Sequence, residues 1–437
     1  MEAMTSESTR VLGEATLAEL RTRMLGSVIC PGDSGYENAR RIWNGAIDMH
    51  PALVLRCSGV ADVISGVQFA CSEGLPVAIR GGAHSVAGFS TCDGGVVLDL
   101  SAMAAVRVDP RNRRALAQGG TTWRRFDHET QAHGLATTGG LVSSTGIGGF
   151  TLGGGIGHLV RKYGLTCDNL LSAEMVTAEG ELVRASEDQN ADLFWALRGG
   201  GGNFGVVTEL ELALHPVGPA VLGGAVFYPG QHAAQVLASW RDAVAGAPDE
   251  LTTLVDLTTA PAAPFLPEDL HGKKVVILSV CWAGPREEGE EVVRPLRALG
   301  TPLVDLLGPI PYVALTATCP TARSAASRSC TRTWPARSRV SPPRSAWGRC
   351  VRWPGRPPPT SQNSSGPPAS SRSAAPARPS SPPRRPPSRE ASPRRATRGI
   401  PVTRPAARPG VSRRGGGRPG AGGTRHRRRR LHPHPGE

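Results

Sequence analysis

The residue best placed to do chemistry is His84, which ends the run Arg80-Gly81-Gly82-Ala83-His84. Apolar residues before it predict a strand over 76–80, so Gly81 and Gly82 open a tight turn at the end of that strand. Successive backbone N–H groups in such a turn can approach an anionic group closely. A nucleophilic imidazole at the tip could then react with whatever the turn holds. A turn histidine without chemistry is the alternative that these residues leave open.

A glycine-rich tract over 139–157, GGLVSSTGIGGFTLGGGIG, carries the second signal. Hydroxyls at Ser143, Ser144 and Thr145, together with unobstructed backbone N–H donors, are the groups that a pyrophosphate needs. A flexible linker is the alternative, but a solvated linker does not carry large apolar residues such as Phe150. The tract therefore indicates a ligand-binding loop.

A third glycine cluster lies between a predicted helix over 191–197 and a predicted strand over 206–214. Gly200-x-Gly202-x-x-Gly205 matches the dinucleotide-binding fingerprint literally. That fingerprint needs a strand before the glycines and a helix after them. The order here is reversed, so the sequence argues against a Rossmann domain.

The elements that must position these loops follow from apolar periodicity. A helix is predicted at 16–24, with Thr16 as its cap. The further predicted strands are 52–57, 95–100, 115–118, 171–177 and 182–184, and the further predicted helices are 60–73 and 123–133. These elements make an α+β domain over 46–216, preceded by an N-terminal segment over 1–45.

A second α+β segment is predicted over 217–316, as one sheet covered by helices on one face. Its predicted strands are 221–228, 251–257 and 274–282, and its predicted helices are 231–245 and 287–299.

Charge is distributed very unevenly along the chain. Of the 50 basic residues, 27 are arginines within 317–437, where there is no lysine and the acids are Glu390 and Glu437. The first 316 residues then carry 23 basic and 34 acidic side chains, a net charge of −11. A mildly acidic body does not suggest a nucleic-acid or membrane partner, so the basic segment has to be interpreted by itself.

The segment 317–437 is rich in Arg, Pro and Ser and poor in apolar residues, which predicts disorder. Its residues are those with GC-rich codons, so we interpret it as the product of a reading-frame shift near residues 316–320. A genuine Arg-rich tail that binds nucleic acid is the alternative. The beginning of the chain shows no apolar run of a secretory signal, and nothing resembles a membrane span, so the cytoplasm is the expected location.

Taken together, the motifs resemble those of FAD-linked oxidases with the vanillyl-alcohol-oxidase-type (PCMH) flavin fold, and within them the berberine-bridge-enzyme-like bacterial oxidoreductases. The resemblance covers about 30–316. The motifs that carry it are RGGAHS (80–85), LDLS (98–101), GGFTLGGGIG (148–157), KYGLTCDNL (162–170) and LRGGGGNFGVV (197–207).

The resemblance implies an α+β fold with a two-subdomain PCMH-type FAD-binding domain, a truncated α+β substrate domain and a disordered tail. It implies FAD bound covalently through His84. It implies that the other cofactor-binding residues are Arg80, Gly81, Gly82, Ala83, Ser85, Gly88, Ser143, Ser144, Thr145, Gly146, Gly148, Gly149, Gly153, Asn203, Gly205, Val206 and Val207. The implied activity is hydride transfer from a small organic substrate to the flavin, with O₂ as the electron acceptor.

Departures from the family pattern limit this expectation. Doubly anchored relatives have a cysteine where this chain has Val142, so a second covalent bond is not expected, and Cys167 is interpreted as a packed thiol near the cofactor. The C-terminal segment that covers the flavin, and usually carries the catalytic base, has no counterpart after Leu315. The catalytic residues are therefore unknown, and an inactive FAD-binding remnant is an alternative function.

Three polar residues of the intact part, His133, Tyr163 and Asp168, are interpreted as structural. No spacing of Cys, His or acidic residues predicts a metal site.

Overall fold

The first sheet of the protein carries the turn that contains His84. A computed structural model describes residues 12–317. The elements of this part are α1 (Glu14–Arg23), β1 (Ser27–Ile29), α2 (Tyr36–Arg40), β2 (Leu53–Arg56), α3 (Val60–Ser72), β3 (Val77–Arg80) and β4 (Val96–Asp99). The strand order is β1-β2-β4-β3, with β2, β4 and β3 parallel and β1 antiparallel to β2.

Helix α3 forms because its apolar residues recur at helical spacing. Val63, Val67 and Ala70 are all buried on the face that packs on this sheet. A Cβ at Gly66 would lie 2.6 Å from a methyl carbon of Leu98 in β4, so a glycine permits the close approach of helix and sheet.

The second sheet is antiparallel and follows in the chain. Its region contains β5 (Val106–Asp109), β6 (Arg114–Gln118), α4 (Trp123–Gln131), β7 (Leu135–Ala136), α5 (Ile147–Leu152), α6 (Val160–Tyr163), β8 (Leu170–Val176), β9 (Leu182–Ser186), α7 (Ala191–Leu197), β10 (Val206–Ala213) and β11 (His215–Pro216). The strand order is β5-β6-β10-β8-β9, while β7 and β11 pair separately. The glycine-rich tract thus contributes a six-residue helix, α5, within the loops between β7 and β8.

The third sheet contains β12 (Ala220–Pro229), α8 (Ala233–Val244), β13 (Leu251–Thr259), β14 (Lys274–Trp282), α9 (Arg286–Val293), β15 (Val304–Asp305), β16 (Gly308–Pro311) and α10 (Tyr312–Ala317). Its strand order is β13-β14-β12-β15, with β16 also paired to β12. Alternate residues of β14, namely Val276, Leu278 and Val280, form a core with Val236 of α8 and Val293 of α9. This arrangement confirms the prediction of one sheet with helices on a face.

Helix α10 packs against α4 around buried polar groups. The Thr316 hydroxyl donates a hydrogen bond to Oδ2 of Asp127 at 3.2 Å, and burial raises the pKa of Asp127 to about 7. Oδ1 of Asp127 and the hydroxyl of Tyr312 have no hydrogen-bond partner among the described residues. Burial also lowers the pKa of His158 to about 4. Nδ1 of His158 has no hydrogen-bond partner within 12–317. These shifted pKa values imply a free energy of unfolding that depends on pH.

Several sequence predictions need correction. The first helix begins two residues before Thr16 and is capped by Gly13 without a side-chain hydrogen bond, so Thr16 is not its cap. The helix predicted over 287–299 is divided into α9 and a 3₁₀ turn, Arg294–Ala298, because Pro295 lacks the N–H that an α-helix would need. Strand β5 was not predicted: its four residues, VRVD, alternate as a half-exposed strand should, but the run is short.

Some predictions are not tested. The boundaries 1–45, 46–216, 217–316 and 317–437 remain predictions, and the proposed reading-frame shift and disordered tail beyond 317 lie outside the described residues.

Within 12–317, no helix is long and apolar enough to cross a membrane, and no group of three or more His, Cys, Asp or Glu residues is arranged to hold a metal ion.

Candidate functional site

Two of the predicted glycine loops cross at Gly82 and Gly146. A Cβ at Gly82 would lie 2.2 Å from the backbone nitrogen of Gly146, and a Cβ at Gly146 would lie 2.2 Å from the nitrogen of Gly82. Both positions therefore require glycine, because any side chain would push the two backbones apart. The tertiary structure thus joins the turn after β3 to the glycine-rich tract.

The turn after β3 presents a row of unused donors. None of the backbone N–H groups of residues 81–85 donates a hydrogen bond to an acceptor within 12–317. Ala83 is held at φ +57°, a left-handed conformation that non-glycine residues seldom adopt. Free N–H groups in a turn of this kind form a concave site for an anion.

A cleft of about 460 Å³ opens in front of this turn. That volume suits a small molecule or part of a cofactor. Among the predicted residues, five line it: Arg80, Gly81, Gly82, Ala83 and Ser144. The residues that sequence reasoning did not place there are Asn38, Ala39, Arg56, Asp99, Ser101, Ala104, Gly120, Thr122 and Arg125.

Positive charge dominates the cleft. Three guanidinium groups, of Arg56, Arg80 and Arg125, face one carboxylate, Asp99, which lies 3.6 Å from Arg56. The buried Arg80 donates a hydrogen bond to the carbonyl of Ala39, and burial lowers the pKa of its guanidinium. Guanidinium groups and free N–H donors together suit a phosphate or pyrophosphate group.

The imidazole of His84 is held from two sides. The Trp43 ring stacks on it with the centroids 5.3 Å apart and the planes 21° apart, and the backbone N–H of Trp43 donates to the Ala83 carbonyl at 3.0 Å. On the other side, Oγ of Ser144 lies 3.0 Å from Nε2. Burial lowers the pKa of His84, which favours the neutral ring with a lone pair available for bonding.

Other predicted residues support the loops rather than line the cleft. The Ser85 hydroxyl accepts a hydrogen bond from the Phe89 N–H at 3.0 Å, and Gly88, at φ +86°, lies against Ile47. The carbonyls of Ser143 and Thr145 accept hydrogen bonds from the first N–H groups of α4, at 2.7 and 3.0 Å. Gly148 is buried against the Gly119 carbonyl, whereas Gly149 and Gly153 are exposed along α5 and at its end.

The third glycine segment lies outside the lining of this cleft. Gly205 has φ +152°, and a Cβ there would lie 2.3 Å from the Met175 methyl carbon, so close packing accounts for the glycine. Val206 and Val207 are buried in the cores beside the first and second sheets. Asn203 is exposed and donates to the Gly200 carbonyl at 2.7 Å. Their contact with a cofactor remains a prediction, whereas the helix-before-strand order that argued against a Rossmann domain is observed in α7 and β10.

Of the three polar residues interpreted as structural, Asp168 and Tyr163 make side-chain contacts within the fold. Oδ2 of Asp168 accepts a hydrogen bond from the Leu165 N–H at 2.8 Å, and the Tyr163 ring stacks on His215 at 4.0 Å. His133 is exposed, and Cys167 is a buried thiol whose pKa is raised by desolvation.

Comparison with known proteins finds a family match over the region that contains both loops. A family model described as "FAD binding domain" matches residues 51–186, which contain the turn after β3 and the glycine-rich tract. The chain is 35% identical over 285 residues to (R)-6-hydroxynicotine oxidase of Paenarthrobacter nicotinovorans, a match covering 64% of this chain and 60% of the relative. The chain therefore spans about 60% of the length of this curated relative.

Solved structures give the same result as the comparisons of sequence. A crystal structure of 6-hydroxy-D-nicotine oxidase from Arthrobacter nicotinovorans matches with TM-score 0.62 and 34% identity, over 67% of this chain and 63% of that chain. Glucooligosaccharide oxidase from Acremonium strictum, described with a 6-S-cysteinyl, 8α-N1-histidyl FAD, matches with TM-score 0.60 and 26% identity, over 70% and 63%. The berberine-bridge-enzyme-like protein 1 of Physcomitrella patens matches with TM-score 0.62 over 69% and 63%, and at 23% identity it shows the fold alone. Residues 51–186 therefore form an FAD binding domain, and the chain is a homologue of the FAD-linked oxidoreductases with the fold of the PCMH and berberine-bridge-enzyme-like flavoproteins.

Proposed function

We propose that the protein is an FAD-dependent oxidoreductase that binds its flavin covalently through His84 and oxidises a small organic substrate, with O₂ as electron acceptor. One observation carries the proposal: five N–H donors that no acceptor within 12–317 uses, together with an arginine-lined cleft, lie beside an oriented imidazole whose pKa is lowered by burial. The residues present therefore fit both the anionic diphosphate of FAD and an attachment point for its ring.

The residues of the chain would first bind FAD and orient its ring. The N–H groups of 81–85 and the guanidinium groups of Arg56 and Arg125 would bind the diphosphate, because both donor types favour anionic oxygens. His84 would hold the ring. Attachment through an 8α-N1-histidyl bond, as named for glucooligosaccharide oxidase, needs Nδ1 of the histidine, and Nδ1 of His84 makes no hydrogen bond with the described residues.

The bound flavin would supply the redox chemistry by accepting a hydride from a substrate C–H bond. The relatives act on a hydroxynicotine and on oligosaccharides according to their names, so we infer a small alcohol, sugar or secondary metabolite as substrate class. We assign no catalytic base among residues 12–317. An FAD-binding protein without turnover is the second candidate, since no catalytic base is assigned within the described part of the chain.

The covalent anchor is tested with the full-length chain expressed with ample riboflavin. We expect yellow colour and flavin fluorescence that stay with the wild-type polypeptide in SDS or acid, and a flavin adduct on the peptide that contains His84. His84→Ala should release all its flavin under the same conditions. His128→Ala, which changes an exposed histidine on α4, is the control and should keep its flavin.

The two functions are separated by anaerobic mixing with alcohols, sugars and amines. Bleaching of the flavin absorbance, followed by hydrogen peroxide formation on admitting air, supports the oxidoreductase. Flavin that stays oxidised with every substrate supports binding without turnover. An unmodified His84 peptide in protein that retains flavin would refute the covalent anchor.

A further inference from the structure

The orientation of His84 depends on a residue that is distant in sequence. Ser144 is 60 residues away, yet its Oγ lies 3.0 Å from Nε2 of the imidazole. It is brought there by the crossing of Gly82 and Gly146, which places the segment before α5 against the turn after β3. Nε2 thus has a polar partner, while Nδ1 has none within 12–317.

We propose that Ser144 is a positioning residue for covalent flavin attachment, which it directs to Nδ1 by holding Nε2 of His84. This inference rests on the proposed covalent flavoprotein. When Nε2–H donates to Oγ of Ser144, the proton of the neutral ring is on Nε2 and the lone pair is on Nδ1. In the proposed arrangement the serine oxygen accepts from Nε2–H, so the ring is the tautomer that can attack through Nδ1.

Nδ1 of His84 forms a bond to the 8α-methyl carbon of oxidised FAD, and that carbon loses one hydrogen as a proton. The electron pair of the broken C–H bond reduces the flavin ring. The reduced ring takes up two protons, which match the one lost by the methyl group and the one lost by the imidazole. Dioxygen then reoxidises the ring and is itself reduced to hydrogen peroxide.

Ser144 suits both ends of this step. Before attachment, its oxygen accepts the hydrogen bond from Nε2–H. After attachment through Nδ1, the neutral ring has no proton on Nε2, so the serine hydroxyl donates instead. A hydroxyl can do both by rotating. Because Ser144 is exposed, the proton that leaves Nε2 has a path to water. Alanine would provide neither hydrogen bond.

The test uses full-length apoprotein, prepared under riboflavin limitation and mixed with FAD in air. The covalent fraction is followed by fluorescence after SDS electrophoresis, and non-covalent binding is followed separately by flavin fluorescence quenching. Loss of one hydrogen bond, about 0.5–1.5 kcal/mol, predicts that Ser144→Ala slows covalent attachment by up to about tenfold. Ser144 also lines the cleft, so non-covalent binding is measured in the same variant, and attachment should fall by a larger factor than binding because the N–H groups of 81–85 and the guanidinium groups of Arg56 and Arg125 are intact.

Two comparisons separate positioning from simple packing. Ser144→Thr keeps the hydroxyl and should restore most of the rate, and Ser239→Ala on α8, far along the chain, should leave it unchanged. Acid hydrolysis of the Ser144→Ala adduct should yield some histidyl-flavin linked through Nε2, whereas the wild-type adduct should be linked through Nδ1 alone.

Three outcomes would overturn the inference. Attachment at the wild-type rate and position in Ser144→Ala shows that the hydroxyl is not needed. Equal loss of binding and attachment, without rescue by threonine, shows a packing role only. A wild-type protein that binds FAD but never forms the bond overturns this inference together with the covalent anchor, while leaving FAD binding intact.

Discussion

At the scale of single residues, His84 is reactive only if its ring is held at a fixed orientation. Trp43 limits that orientation because its ring stacks on the imidazole with the centroids 5.3 Å apart. Its backbone N–H also donates a hydrogen bond to the Ala83 carbonyl. Stacked aromatic pairs contribute about 0.5–1.5 kcal/mol beyond their buried area. We therefore predict that Trp43→Ala slows covalent flavin attachment by up to about tenfold and that Trp43→Phe keeps most of the rate.

The measurement is the time course of SDS-stable flavin fluorescence after FAD is added to apoprotein. Trp195→Ala is the matched control, because Trp195 is 75% exposed on α7 and does not line the cleft. A Trp43→Ala protein that incorporates flavin as fast as wild type would show that stacking does not orient the ring.

At the scale of elements, the site exists because the turn after β3 and the loop before α5 can touch. Adding a methyl group at Gly82 would place it 2.2 Å from the Gly146 nitrogen, and neither backbone can yield without separating the loops. Overpacking of this kind costs about 1–3 kcal/mol. Gly82→Ala should therefore lower the midpoint of urea unfolding and abolish measurable FAD binding.

Fluorescence-quenching titration and urea denaturation check this prediction. Gly246→Ala makes the same chemical change where a Cβ meets nothing within 4 Å, and it should leave both quantities unchanged. Normal FAD affinity in Gly82→Ala would show that the crossing is not required for binding.

At the scale of the whole molecule, two buried titratable groups give stability opposite dependences on pH. Asp127, with its pKa raised from 3.8 to about 7, binds a proton in the folded state that the unfolded state lacks, so its contribution is lost as pH rises from about 4 to 7. His158, with its pKa lowered from 6.5 to about 4, is neutral when folded and protonated when unfolded, so its contribution is lost as pH falls from 6.5 to 4. Between pH 4 and 6.5 the two slopes, each about 1.4 kcal/mol per pH unit at most, oppose each other.

Single substitutions should reveal how each group makes the free energy of unfolding depend on pH. Asp127→Asn leaves His158 unopposed, so the free energy of unfolding should rise with pH between 4 and 6.5 relative to wild type. His158→Leu leaves Asp127 unopposed, and the free energy should fall from pH 4 to 7. Urea denaturation at intervals of half a pH unit measures both, and parallel pH profiles for the variants and wild type would contradict the assignment.

Most of the secondary structure could be predicted from the sequence. The bounds of β14 and α7 agree with the predicted strand 274–282 and helix 191–197 at every residue, because periodicity of apolar residues is a local property. The cleft was predicted in part: the RGG turn and Ser144 were predicted to bind the cofactor, Asp99 was named only within the LDLS motif, and Arg125 was not named. No local pattern distinguishes Arg125 on its helix from an ordinary solvated arginine.

The sequence by itself determined the α+β class, the nature of the FAD binding domain and the histidine proposed as its anchor, since these depend on short motifs whose residues are neighbours in the chain. The cytoplasmic location and the domain boundaries stay predictions. Only the tertiary structure decided that Trp43 and Ser144 hold that histidine, that Gly82 crosses Gly146, and that Asp127 meets Thr316 in a buried contact. These contacts join distant segments, and they form because packing of whole sheets and helices, rather than local propensity, brings the segments together.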